Sequence, residues 1–134
     1  MSQENVEIAK RANAAFNRGD VDAALEFFAP DAELRDLANA PDQASVVKGV
    51  DSIRETWTLW TAAFDEFSAD IEEMTDAGAA VIAAVHWQGR GKASGMSIDV
   101  RQFDVYELRG GKIIRATLGL KSKTDALEAA GLSE

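Results

Sequence analysis

An α+β fold is predicted by three features of this 134-residue sequence. Apolar residues recur at helical spacing in the first half, period-two alternation dominates the second half, and glycine-rich turns join the alternating segments. Helices first and an antiparallel meander afterwards distinguish α+β from repeated α/β units. No internal repeat, low-complexity tract or linker divides the chain, so residues 1–134 are expected to form a single domain. A chain of this length can bury a core without a metal or a disulfide.

The first helix places Val6, Ala9, Asn13 and Phe16 on one face, at spacings of three, four and three. Gly19 stands where a C-capping glycine belongs, and Asp20 where the next helix needs its N-cap. That second helix groups Val21, Ala24, Leu25 and Phe28 and is expected to continue until Pro30 ends it. Asp20 and Asp22 serve its start. Ala32–Asp36 alternates as a short strand. Residues 37–48 contain Pro41 and mostly small polar groups, and read as a loop with a short strand around Val46 and Val47. A third helix follows Gly49, carrying Ile53, Trp57, Trp60 and Phe64 at intervals of four, three and four.

Strands follow. Phe67–Thr75 turns through Asp76-Ala77-Gly78 into Ala79–Gln88. Gly89–Gly95 is expected to be a flexible connection rather than a phosphate loop, because it lacks the spacing and the helix start of one. Met96–Leu108 is a long strand, Arg109-Gly110-Gly111 reverses it, and Lys112–Leu120 is the last strand. A short helix, Asp125–Ala130, stops at Gly131. Val81–Val85 and the segment around Val105 are apolar on both faces. One face must cover the helices, and the other is expected to meet a second copy of the chain, giving a homodimer through the sheet.

Composition narrows the function classes. The hydrophobic fraction is 46% and the charged fraction 28%, ordinary for a globular domain. With no cysteine and one histidine, thiolate catalysis, iron–sulfur clusters and the usual zinc sites are excluded or disfavoured, and neither a metal nor another cofactor is expected. The net charge of −9 is uneven: residues 1–78 hold 6 basic and 17 acidic groups, and residues 79–134 hold 8 and 6. No basic cluster offers a face to nucleic acid or an anionic membrane. Met1–Lys10 is polar and acidic, unlike a signal or transit peptide, and no apolar run approaches the ~18 residues of a membrane span. The absence of cysteine fits the cytoplasmic location expected here.

Several stretches are similar to a known family. Ala14-Ala15-Phe16-Asn17-Arg18-Gly19-Asp20-Val21-Asp22-Ala23-Ala24 resembles the opening of SnoaL-like and ketosteroid-isomerase-like proteins of the nuclear transport factor 2-like superfamily. Phe28-Ala29-Pro30-Asp31-Ala32-Glu33, Trp87-Gln88-Gly89-Arg90, Gly111-Lys112-Ile113 and Ala126-Leu127-Glu128-Ala129-Ala130-Gly131-Leu132 extend the likeness over nearly the whole chain. The resemblance implies three N-terminal helices in the concave face of a strongly curved, mostly antiparallel sheet, a cone with an apolar pocket at its open end. It also implies a short C-terminal helix. The fold hosts isomerases, dehydratases, hydrolases, cyclases and binders, so chemistry must come from the site.

In the isomerase branch a general-base aspartate follows the first strand, and Asp31–Asp36 aligns there without a gap, so the resemblance assigns Asp36 that position. A second acid, kept protonated to donate a hydrogen bond, corresponds to Asp104 in Asp104-Val105-Tyr106-Glu107-Leu108. The chain departs from that branch at Ala12, where the branch has an oxyanion tyrosine, at Leu37, where a proline is usual, and in a longer loop beyond it.

Read as residues, each candidate has a plainer use. Asp36 could be a solvated loop carboxylate. Asp104 shares a face with Gln102, Tyr106 and Leu108; in a core a carboxylate must be paired or neutral, so its plainer use is an ion pair with Arg115 or Arg101, or an exposed position if this face is the outer one. Trp57 and Trp60 could be core or pocket lining. Trp87 is expected inward with Val81, Ala83 and Val85, which turns His86 outward with Ile82, Ala84 and Gln88. Tyr106 could donate the hydrogen bond that Ala12 cannot. The expected site comprises Asp36 and Asp104 as catalytic acids, with Tyr106, Gln102, Trp57, Trp60, Trp87 and Leu118 around a small apolar molecule. Three uses compete: cofactor-free acid/base catalysis on a small cyclic substrate, ligand binding without chemistry, and protein interaction through the sheet.

Overall fold

The computed structural model describes residues 2–37, 45–92 and 97–131. Its elements are α1 (Ser2–Asn17), α2 (Val21–Leu25), β1 (Phe28–Asp36), β2 (Ser45–Lys48), α3 (Val50–Ala63), β3 (Phe64–Ala77), β4 (Ala80–Gly91), β5 (Ser97–Arg109), β6 (Lys112–Leu120) and α4 (Lys123–Ala129). The strands form one sheet in the order β2-β1-β6-β5-β4-β3. Among the described residues only the β1–β6 pairing is parallel. The hairpins from β3 to β6 are the expected meander, and β1 joins it beside the last strand.

One face of this sheet wraps the helices. Ala9, Ala12, Ala15 and Phe16 of α1 and Ile53 and Trp57 of α3 pack with Val81, Ala83, Val85 and Trp87 of β4 and with Leu108, Ala116 and Leu118. The opposite face carries a smaller cluster, where Ala126 of α4 packs with Ala80, Ile82 and Val105, and Leu127 joins them. The C-terminal helix therefore covers the outer apolar residues that the sequence assigned to a partner chain. Away from α4 the outer face is polar. Arg115 bonds Glu33 and Glu107, Gln88 bonds Asp70, Arg101 bonds Glu72, and His86 pairs with Asp99. Among the described residues no helix is long and apolar enough to cross a membrane.

Local chemistry explains most boundaries. Gly19 takes φ +82 just beyond α1, a left-handed conformation that costs glycine little, and the Asp20 side chain accepts from Ala23 N–H to start α2. The α2 helix stops at Leu25, short of the expected Pro30. Phe28 and Pro30 lie in β1 instead, because β1 pairs with β2 only from Glu33 onward and its register against β6 shifts between Phe28 and Glu33. Pro30 thus sits where no ladder partner requires its missing N–H. The segment around Gly89 is also strand rather than loop: Gly89 pairs with Ile98, and Gly91 pairs with Phe64. Sheet pairing on both sides overrides glycine's weak strand preference. The rest of that expected connection, residues 93–95, lies outside the described residues, as do Met96, Leu132 and the 38–44 part of the expected loop.

Two devices shape the open end of the cone. The edge strand β3 is held by α1 side chains, with Asn13 Nδ2 and Asn17 Nδ2 each donating to Ala69 O at 2.9 Å and Ala69 N–H donating to Asn17 Oδ1 at 2.9 Å. These amides satisfy the Ala69 backbone at one point of an edge that would otherwise be open to another strand. A bulge between Asp65 and Ser68, with Glu66 at φ +53, resets the side-chain alternation. Phe64 and Phe67, three residues apart, therefore face the same way and stack at 5.1 Å. Gly89 makes room for them, since a Cβ there would stand 2.9 Å from Phe67 Cδ1. Gly89→Ala is expected to displace Phe67 and cost about 1–3 kcal/mol, read as a lower urea midpoint. An unchanged midpoint would mean that the wall yields freely.

Candidate functional site

Asp104 is fully buried, and no cation among the described residues pairs with it. Trp87 Nε1–H donates to its Oδ2 at 3.0 Å, while Gln102 Nε2–H and the Gly119 backbone N–H donate to its Oδ1 at 2.9 and 3.0 Å. The expected alternatives are both used elsewhere: Arg115 bonds Glu33 and Glu107, and Arg101 bonds Glu72. Local backbone geometry supplies the third donor. The β5–β6 register shifts between Phe103 and Val105, and Gly119 opposite takes φ +91, a conformation suited to glycine. Burial pushes the Asp104 carboxyl up to about 6, against the three hydrogen bonds, which favour the ionised form, and the Asp36 charge raises it further.

Asp36 ends β1 opposite Leu118 of β6 and lines a cavity of about 290 Å³. Trp60, Phe64, Phe67, Trp87, Ile98, Val100, Gln102 and Leu118 complete the wall. Trp60 meets Trp87 edge-on at 6.4 Å, and Phe67 lies 5.4 Å from Trp87. Among the described residues, a carboxylate and one amide thus face an otherwise apolar and aromatic space, the form typical of small-molecule sites. A second cavity, about 30 Å³, lies between α1 and the sheet and is lined by Trp57, Tyr106, Asn13 and Ala12 among others. Burial, reinforced by the Asp104 charge, holds the Tyr106 phenol above its ordinary value, so it remains a donor. Among the described residues no group of three or more His, Cys, Asp or Glu side chains could hold a metal ion.

The SnoaL-like domain model matches residues 9–116. The chain belongs to the SnoaL-like domain family. Solved structures agree on the fold. A protein from Catenulispora acidiphila with a ketosteroid isomerase-like fold, crystallised with trimethylamine, is 21% identical with a TM-score of 0.75 over 94% of this chain and 93% of its own. A nuclear transport factor 2-like protein from Burkholderia thailandensis is 26% identical with a TM-score of 0.73, covering 83% and 85%. A candidate polyketide cyclase from Sinorhizobium meliloti is 25% identical with a TM-score of 0.69, covering 87% and 97%. No curated protein matches the chain.

Within this SnoaL-like cone, Asp36, Trp60, Trp87, Gln102 and Leu118 meet around the larger cavity. Trp57 and Tyr106 do not join them and line the smaller one. Asp104 lines neither: it stands behind the wall and holds Trp87 and Gln102 from there. His86 faces outward as its parity requires. Ile98 and Val100 were missed as wall residues although they share the parity of Gln102. Phe64 and Phe67 carried no such signal, because the bulge breaks the alternation between them.

The raised acid gives a signed pH dependence. Folding retains the Asp104 proton above the value at which the unfolded chain releases it. Its stabilising contribution is therefore full below that value and is lost as pH rises to about 6. From about pH 4 to about pH 7 this group alone is expected to lower stability by about 2 kcal/mol. Urea unfolding of wild type and Asp104→Asn across that range is expected to diverge by this amount, and parallel curves would contradict it.

Proposed function

We propose that this SnoaL-like chain is a cofactor-independent acid/base enzyme of isomerase, lyase or cyclase type, acting on a small, largely apolar cyclic substrate in the larger cavity. The observation that carries the reading is Asp36, a carboxylate in a cavity wall that, among the described residues and apart from Gln102, is aromatic and aliphatic. The Asp36 carboxylate takes a proton from a carbon next to a carbonyl and returns it at another carbon or to a leaving oxygen. Trp60, Phe64, Phe67 and Trp87 exclude water from the resulting enolate. Asp104 is a positioning residue here: its hydrogen bonds aim Gln102 and the Trp87 ring at the substrate space. The candidate polyketide cyclase among the relatives supports this class of chemistry.

One observation favours a second reading, a ligand-binding protein without chemistry. Ala12 supplies no hydroxyl, and both Asp104 oxygens already accept hydrogen bonds from the protein. The trimethylamine complex of the Catenulispora acidiphila protein, which has a ketosteroid isomerase-like fold, supports small-ligand binding by this fold.

Proton exchange separates the readings. β-Tetralone in heavy water, followed by proton NMR, is expected to exchange its α-hydrogens faster with wild type than in buffer. Asp36→Asn is expected to lose about 100-fold of that acceleration. Binding of β-tetralone with no acceleration would favour the second reading, and full exchange by Asp36→Asn would remove Asp36 from the chemistry.

A further inference from the structure

Two tryptophan rings meet at a right angle in the wall of the larger cavity. Trp60 stands at 90° to Trp87, with the ring centroids 6.4 Å apart. Phe67 lies 5.4 Å from Trp87 and stacks on Phe64 at 5.1 Å, which extends the aromatic lining. The face of an aromatic ring carries negative charge density, and tryptophan attracts a cation most strongly. Trp87 is polarised as well. Its Nε1–H donates to the Asp104 carboxyl at 3.0 Å, which pushes electron density into the indole ring.

The charges beside these rings have one sign. Asp36 lines the cavity, and among the described residues no lysine, arginine or histidine does. Arg35, next to it in sequence, falls on the other side of β1 by strand alternation. Asp104 stands behind the wall, close enough for its charge and that of Asp36 to repel. The net charge of −9 draws cations toward the chain, and the half-exposed Val100 brings the cavity wall to the surface.

The lining also selects the kind of cation. A primary ammonium brings three N–H donors. The described wall offers it acceptors at Asp36 and at the Gln102 carbonyl oxygen, since the Gln102 amide nitrogen serves Asp104. A donor left unmet in such a space is costly. A tertiary or quaternary ammonium spreads its charge over alkyl groups and presents one N–H or none, so aromatic faces suit it.

We propose that the larger cavity binds a tertiary or quaternary ammonium group, seated in the corner of Trp60 and Trp87 with Asp36 as its counter-charge. The inference goes beyond the acid/base reading, because a counter-charge moves no proton, and the two stand or fall separately. Asp104 acts here as a positioning residue: it holds Trp87 in place and enriches its ring.

The test pairs choline with 3,3-dimethylbutan-1-ol, which has the same shape with a carbon in place of the charged nitrogen. In isothermal titration calorimetry, wild type is expected to bind choline about tenfold more tightly than the alcohol. Choline is expected to lead ethanolamine, a primary ammonium, by a similar factor of about ten. The preference for choline over the alcohol is expected to fall at least about threefold in Asp36→Asn and in Trp60→Leu. Equal binding of choline and the alcohol overturns the cation site. So does a preference that survives both substitutions, which would put the cation elsewhere on this acidic chain. Ethanolamine bound as tightly as choline overturns the assignment of an alkylated ammonium. Binding of neither choline nor the alcohol overturns the inference too, while accelerated β-tetralone exchange by the same protein would leave the acid/base reading standing.

Discussion

A buried carboxyl, unpaired with any cation among the described residues, holds the wall of the larger cavity together. Asp104 gathers donors from β4, from its own strand and from the β6 backbone. Replacing it with an apolar side chain would strand three donors at once, and an unmet buried donor costs about 1–3 kcal/mol. Neutral donors make a softer anchor than an arginine would. They favour the carboxylate but do not fully offset burial, so the acid stays able to take a proton near neutrality. The same bond set fixes part of the larger cavity's wall: the Trp87 ring, the Gln102 amide and, through Gly119, the neighbouring Leu118 opposite Asp36.

Around that anchor the cavity wall is built by small violations of strand regularity. The bulge at Asp65–Ser68 turns Phe64 and Phe67 to one side, Gly89 leaves them room, and the irregularity at Gly119 presents an N–H to Asp104. Each costs the sheet some regularity and gains a wall element. The aromatic cluster then divides the interior. Phe16, Trp57 and Phe28 pack edge to face on the helix side, while Trp60, Trp87 and Phe67 face the larger space. Trp87 touches both halves and is tied to Asp104, so position, partition and electrostatics meet in one side chain.

Much of this was legible in the sequence. Helical spacing identified the buried face of α1, and period-two alternation placed Val81, Ala83, Val85 and Trp87 inward and His86 outward. The same rule grouped Gln102, Asp104 and Tyr106. What escaped was non-local. Nothing within a few residues of Phe64 announces that β3 begins there and bulges at once, since β4 pairing decides both. Pro30 reads as a helix stop, yet the tertiary pairing of β1 starts before it. The partners of Asp104 come from Trp87, 17 residues earlier, and from Gly119, 15 later. A search for charge complements pointed instead to arginines that the structure uses on the outer face. The division between two cavities was equally hidden, because it depends on how far each tryptophan reaches and not on which face it occupies.

The most direct test of this account is a pH titration of the Asp104 carboxyl carbon by NMR, in wild type and in Asp36→Asn. The midpoint is expected near 6 in wild type and lower in the variant, because removing the Asp36 charge relieves the ionised form of Asp104. A midpoint in the ordinary aspartate range, unmoved by Asp36→Asn, would contradict both the buried, cation-free anchor and its coupling to the acid in the cavity wall.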